Sequence, residues 1–118
     1  MKKVALVIGN GDYQNTGKLK NPVNDSRDMK TSLEQLGFQV IYGENLSKKE
    51  MNRKLSEFGE IGNILETAIF YYAGHGLQEN GENYLVPVDA EIRESDDISE
   101  ESFSFSRIEK KFGGFASV

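Results

Sequence analysis

The apolar positions of this chain fall in blocks whose period changes from strand-like to helical and back. Val4-Ala5-Leu6-Val7-Ile8 is an unbroken run closed by Gly9, the pattern of a strand covered on both faces, as in a parallel sheet. After a polar loop, Asn21-Pro22 offers a helix cap followed by proline at the first helical position. Met29, Leu33 and Leu36 then recur at helical spacing until Gly37 stops the helix. Residues 38–42 read as a second strand. Ser47, with Glu50 three positions on, forms a capping box that opens a second helix with a buried stripe of Met51, Leu55, Phe58 and Ile61. Residues 67–72 supply a third buried strand. Asn80-Gly81, set between Leu77-Gln78-Glu79 and Asn83-Tyr84-Leu85-Val86, signals a tight β-hairpin that Pro87 ends.

Beyond the hairpin the pattern weakens. Residues 91–101, with Glu94, Asp96, Asp97, Glu100 and Glu101 close together, read as a solvated loop. Phe103, Phe105, Ile108 and Phe112 fit a last short helix over 104–112, which Gly113-Gly114 breaks. Strands joined by helical crossovers run parallel with right-handed connections. The expectation is therefore one α/β domain over residues 1–118, a three-layer sandwich with a mainly parallel sheet and strand order 2-1-3.

Composition narrows the partners. A chain of 118 residues, 37% of them hydrophobic, can build one core and not two. Its net charge of -5 and the lack of a Lys/Arg run argue against nucleic acid. The apolar run after Met1-Lys2-Lys3 stops at Gly9, too short for a signal peptide. Nothing approaches the roughly 18 apolar residues of a membrane span. The chain has no cysteine, which removes disulfides, thiolate metal sites and a cysteine nucleophile from these residues, and a cytoplasmic location is the default.

In open α/β sheets the ligand crevice lies beyond the carboxyl ends of the strands where the winding reverses. Two loops meet there, Gly9-Asn10-Gly11-Asp12-Tyr13 and Ala73-Gly74-His75-Gly76, and the second carries the chain's one histidine. An imidazole near neutral pH can take a proton from a nucleophile and return it to a leaving amine. The flanking glycines let a substrate backbone approach and let Gly76 present its N–H to a developing oxyanion. No serine sits in a Gly-x-Ser-x-Gly elbow. One histidine and no cysteine make a poor zinc site, and Gly9-x-Gly11 lacks the third glycine of a dinucleotide loop, so neither a metal nor another cofactor is expected.

Four segments, in order, carry a resemblance. They are Val4-Ala5-Leu6-Val7-Ile8-Gly9-Asn10-Gly11-Asp12-Tyr13, Leu19-Lys20-Asn21-Pro22-Val23-Asn24-Asp25, Phe70-Tyr71-Tyr72-Ala73-Gly74-His75-Gly76 and Asn83-Tyr84-Leu85-Val86-Pro87-Val88-Asp89-Ala90. Across about residues 2 to 112 they resemble the caspase-like cysteine peptidases, specifically the bacterial and metacaspase-like branch. The four look like that family's first strand and loop, its approach to the first helix, the segment with its catalytic histidine, and the return strand of the next hairpin.

The resemblance implies a caspase-like fold and a cysteine endopeptidase acting on protein or peptide substrates. In it His75 polarises the substrate carbonyl and serves as acid and base, and the Gly76 N–H contributes to the oxyanion hole. It also implies that Asp25 helps form the pocket for an Arg or Lys preceding the cut, since a carboxylate can bond a guanidinium bidentately. Asp25 has an equally good ordinary reading as a first-turn acid stabilising a helix N-terminus. Asp12 and Asp89 read as a loop carboxylate and a hairpin-end residue. Calcium activation occurs among relatives and is not legible in these residues.

The same resemblance calls for a further strand and a cysteine in an Asp-x-Cys segment soon after residues 104–112. Gly113 to Val118 match neither. The chain thus reads as the large-subunit portion of such a domain, incomplete at its C-terminus and inactive alone toward Arg/Lys peptides. The second reading is a pseudo-peptidase or interaction module that binds a protein through the crevice, or self-associates through a sheet edge left exposed.

Overall fold

The computed structural model describes residues 2–61, 65–112 and 116–117. Strand β1 (Lys2–Gly9) leads through a loop into helix α1 (Pro22–Gln35), strand β2 (Gln39–Glu44), helix α2 (Lys48–Ile61) and strand β3 (Leu65–Ala73). β1 pairs in parallel with β2 on one side and β3 on the other, giving the expected order 2-1-3. The core follows from that central place. Val4, Leu6 and Ile8 face α2 and its Met51, Leu55 and Phe58, while Ala5 and Val7 face α1 through Leu33 and Met29. A strand with neighbours on both edges and helices on both faces must be apolar at every position, and Val4 to Ile8 are each 0% exposed.

The helix ends show local rules at work. Ser47 and Glu50 close the capping box reciprocally, Glu50 N–H donating to Ser47 Oγ and Ser47 N–H to a Glu50 oxygen, both at 3.1 Å. Ser47 holds the Glu50 carboxyl below its ordinary range, through its backbone N–H first and its hydroxyl second. At α1 the outcome differs. Pro22 opens the helix, but Asn21 makes no side-chain cap because its backbone is already helical (φ -90°, ψ -27°). Gly37, at φ +89°, ends α1 in the left-handed conformation that glycine adopts without strain. Leu36, the last of the residues recurring at helical spacing, lies at the C-cap and is 65% exposed.

The remaining elements form a second, antiparallel sheet ordered β4-β5-β6. β4 (Gly76–Glu79) and β5 (Glu82–Leu85) are the hairpin, turning through Asn80 and Gly81 at φ +52° and +78°, both left-handed as a two-residue turn requires. The expected solvated loop at 91–101 is corrected in part: its second half is helix α3 (Ser95–Glu101). Glu94 and Asp97 form its capping box, with backbone N–H groups of Arg93 and Glu94 lowering the Asp97 carboxyl, so the acidic cluster is a helix start. β6 (Phe103–Ser104) takes the first residue expected in the last helix, leaving α4 at Phe105–Phe112. A further correction falls at the end of the chain. Ala116–Ser117 form β7, which pairs in parallel with β3 at Ile69 and Phe70, so the strand expected to be missing has a two-residue counterpart.

Candidate active site

Backbone and side-chain bonds draw the two sequence-predicted loops together at the carboxyl end of the parallel sheet. Asn10, the first residue past β1, is 0% exposed. Its N–H donates to the Ala73 carbonyl (2.8 Å), its Oδ1 accepts from Leu46 N–H (2.9 Å), and its Nδ2 reaches the Val86 carbonyl (3.4 Å). One buried amide thus ties together the ends of β1 and β3, the β2–α2 loop and the hairpin return. Sequence reasoning quoted Asn10 only as part of a motif. The missed signal was a polar residue directly after a fully apolar strand. Asn45 acts likewise from a left-handed position (φ +51°), its Oδ1 accepting from Gly11 N–H at 2.9 Å and Asp12 N–H at 3.0 Å.

The His75 loop hangs on two tyrosines. Tyr13 Oη donates to the Val86 carbonyl (2.8 Å) and accepts the His75 N–H (2.9 Å). Tyr72 Oη donates to the His75 carbonyl (2.7 Å) and accepts the Val86 N–H (3.3 Å), and the two hydroxyls lie 3.1 Å apart. Burial is the main reason both phenols titrate above their ordinary value. Gly74 lies against this pair: a Cβ there would come 2.6 Å from Tyr72 Oη and 2.8 Å from Tyr13 Oη. Neither tyrosine was singled out from sequence, because an aromatic ending a strand or opening a loop looks like ordinary core.

The His75 ring packs on Tyr13, with centroids 4.4 Å apart and planes tilted by 58°. Its Nε2 lies 2.6 Å from the Gly17 carbonyl. A carbonyl only accepts, so Nε2 carries the hydrogen, and in the neutral ring Nδ1 keeps the lone pair that can take a proton. Gly76 opens β4. Because Val86 N–H donates to the His75 carbonyl (3.2 Å), His75–Val86 is a hydrogen-bonded position of the hairpin and the next pair, Gly76–Leu85, is not. The Gly76 N–H therefore points away from β5.

Asp25 stands apart from His75. It lies exposed in the first turn of α1, its N–H donating to the Asn21 carbonyl at 2.9 Å. Its charge reaches Tyr71, whose phenol is raised first by burial and then by Asp25. Successive residues of a strand point to opposite faces. Tyr71 packs with the α1 cluster, whereas Tyr72 packs on the α2 side with the hairpin return, so Asp25 and the tyrosine network flank β3. Asp12 pairs with Lys18, and Asp89 Oδ1 accepts from Lys48 N–H (2.9 Å) at the first residue of α2. Among the described residues, no group of three or more His, Cys, Asp or Glu side chains could hold a metal ion, and no helix is long and apolar enough to cross a membrane.

Residues 2–110 match the sequence family described as the caspase domain. The human mucosa-associated lymphoid tissue lymphoma translocation protein 1 is 40% identical over 88 residues, 75% of this chain and 11% of that protein. Rat caspase-1 is 34% identical over 79 residues, 65% of this chain and 20% of the relative. In fold, the crystal structure of the Drosophila initiator caspase Dronc superposes with a TM-score of 0.72 at 15% identity, over 93% of this chain and 41% of that one. The chain spans a fifth or less of the curated relatives it matches. By its sequence match over residues 2–110, it belongs to the caspase-domain family.

Proposed function

We propose that the crevice at the carboxyl end of β1 and β3 is the histidine half of a cysteine endopeptidase site. His75 polarises the scissile carbonyl and carries the proton between the attacking thiol and the leaving amine. The Gly76 N–H, turned away from β5, donates to the oxyanion. Asp25 receives the Arg or Lys that precedes the cut, as an acidic residue does in the metacaspase-like branch, and the substrates are proteins or peptides. The observation that carries this reading is the His75 Nε2–Gly17 carbonyl bond, which orients the ring and selects the tautomer with a basic Nδ1.

The thiolate must come from outside these 118 residues, which contain no cysteine, so this polypeptide alone does not turn over peptides. With fluorogenic Arg and Lys peptides we expect no turnover. Turnover abolished by His75→Ala would overturn that statement. Binding is the positive test: the sole imidazole shifts in NMR spectra on adding a blocked Arg peptide, not its Glu counterpart, and Asp25→Asn weakens the effect. The absence of cysteine also favours a second reading, a pseudo-peptidase that binds a protein through the same crevice or the β3 edge. Among the described residues, β7 pairs with that edge at Ile69 and Phe70. Peptide binding independent of any basic residue would favour it.

A further inference from the structure

Beside His75, on the hairpin side, the structure holds a pocket of about 200 Å³ that the chemistry above does not use. Its apolar wall is Leu77, Val86, Ala90 and Ile92, with no Asp, Glu, Lys or Arg in the lining. Whole small-molecule ligands occupy sites of roughly 300–1,000 Å³, so this space suits one side chain. Val86 and Ala90 are 3% and 8% exposed, while Leu77 stands at the mouth 36% exposed. The free protein thus keeps an apolar surface open next to its histidine, and an aliphatic group would cover it.

The wall is built in advance. Gln14 N–H donates to the Val88 carbonyl (2.9 Å), Val88 N–H to the Leu46 carbonyl (2.9 Å), and Asn15 Nδ2 to the Ala90 carbonyl (3.3 Å). With the Tyr13 bond to Val86, these fix the 86–90 backbone before anything binds, which lowers the cost of filling the pocket. Position supplies the rest. Asp25 lies by the Tyr71 face of β3 and does not line the pocket, whereas Val86 in its wall bonds to Tyr72 on the opposite face. An extended peptide with its basic residue at Asp25 and its scissile carbonyl at His75 continues toward this pocket.

We infer that the pocket is the subsite for a branched aliphatic side chain, Val, Leu or Ile, on the leaving side of a bound peptide. This rests on the reading of His75 as the point where substrate crosses the sheet end. A charged side chain is disfavoured, because the lining offers no fixed counter-charge to offset its desolvation.

The test uses the 118-residue chain and blocked peptides that are identical except after the Arg, where they carry Leu, Gly or Asp. Binding is measured by calorimetry and by the signals of the single imidazole. We expect Leu to bind about tenfold tighter than Gly, and Asp more weakly than Gly, since burying such a side chain yields a free-energy gain of that order. Ala90→Leu, which fills the pocket from its wall, removes the Leu preference. Leu77→Ser, at the exposed mouth, reduces the preference without touching the core. Equal affinities for the three peptides overturn the subsite, and leave the peptidase reading standing if Arg is still required. A Leu preference that persists without Arg upholds the subsite and removes Asp25 from the reading. No binding by any peptide overturns both.

Discussion

At its root the β4–β5 hairpin is held by neutral hydroxyls: Tyr13 and Tyr72 share the His75 and Val86 backbone between them. At its tip the bonds run to a carboxylate. Glu82 accepts from Ser104 Oγ (2.7 Å), Ser106 Oγ (2.6 Å) and Ser106 N–H (3.1 Å), which together, the Ser106 hydroxyl first, hold its carboxyl below the ordinary range. The tip also borders an open cleft of about 490 Å³, in which Glu79 Oε2 is buried without a hydrogen-bond partner among the described residues. Glu79 faces Glu82 directly across the ladder, so two like charges share one face. The root, which carries His75, is therefore held by buried neutral groups, and the tip by a hydrogen-bonded carboxylate.

Disturbing the root should cost most. Gly74→Ala forces a Cβ into both tyrosine hydroxyls, and we expect a loss of about 3 kcal/mol in urea unfolding, with a displaced His75 amide signal. Unchanged stability would show that the pair is not held as described. Tyr72→Phe comes next, at about 1 kcal/mol, because it removes the hydroxyl's bonds to the His75 carbonyl and the Val86 N–H and leaves those two groups only their bond to each other. A chain unmoved by it would make Tyr13 the sole anchor.

Titration then separates the two ends. The tyrosines titrate above their unfolded value when folded, so their contribution is present below about pH 10 and is lost as pH rises beyond it. Glu82 is depressed, so its contribution is present above its unfolded value and is lost as pH falls below about 4. Amide signals should loosen first at the root in alkali and first at the tip in acid. The same order of loss at both extremes would erase the distinction. The smallest effect is expected from Glu79→Gln, which removes one of two facing charges and should raise the melting temperature slightly.

Much of the sheet was legible because its signals are local. An unbroken apolar strand, a helix stopped by Gly37, a capping box at Ser47 and Glu50, and an Asn80-Gly81 turn each act within a few residues, and the order 2-1-3 follows from the crossovers. Local signals also misled. The acidic stretch at 91–101 looked solvated because charge count outweighed the capping pattern of Glu94 and Asp97, and Asn21 looked like a cap although its backbone precludes one.

The candidate site divides along the same line. From the sequence alone came one histidine between glycines past a buried strand, the absence of cysteine, and an acid at the start of α1. The tertiary structure decided which residues surround that histidine. Gly17 turns its carbonyl to Nε2, Tyr13 and Tyr72 fasten its backbone, Asn10 joins the loops, and Val86 with Ala90 opens a pocket at its side. Those partners lie as far as 76 residues apart along the chain, as Asn10 and Val86 do. No periodicity or spacing reaches that far. The contacts exist because a parallel sheet delivers the ends of β1 and β3 to the same place, where buried polar groups must find partners.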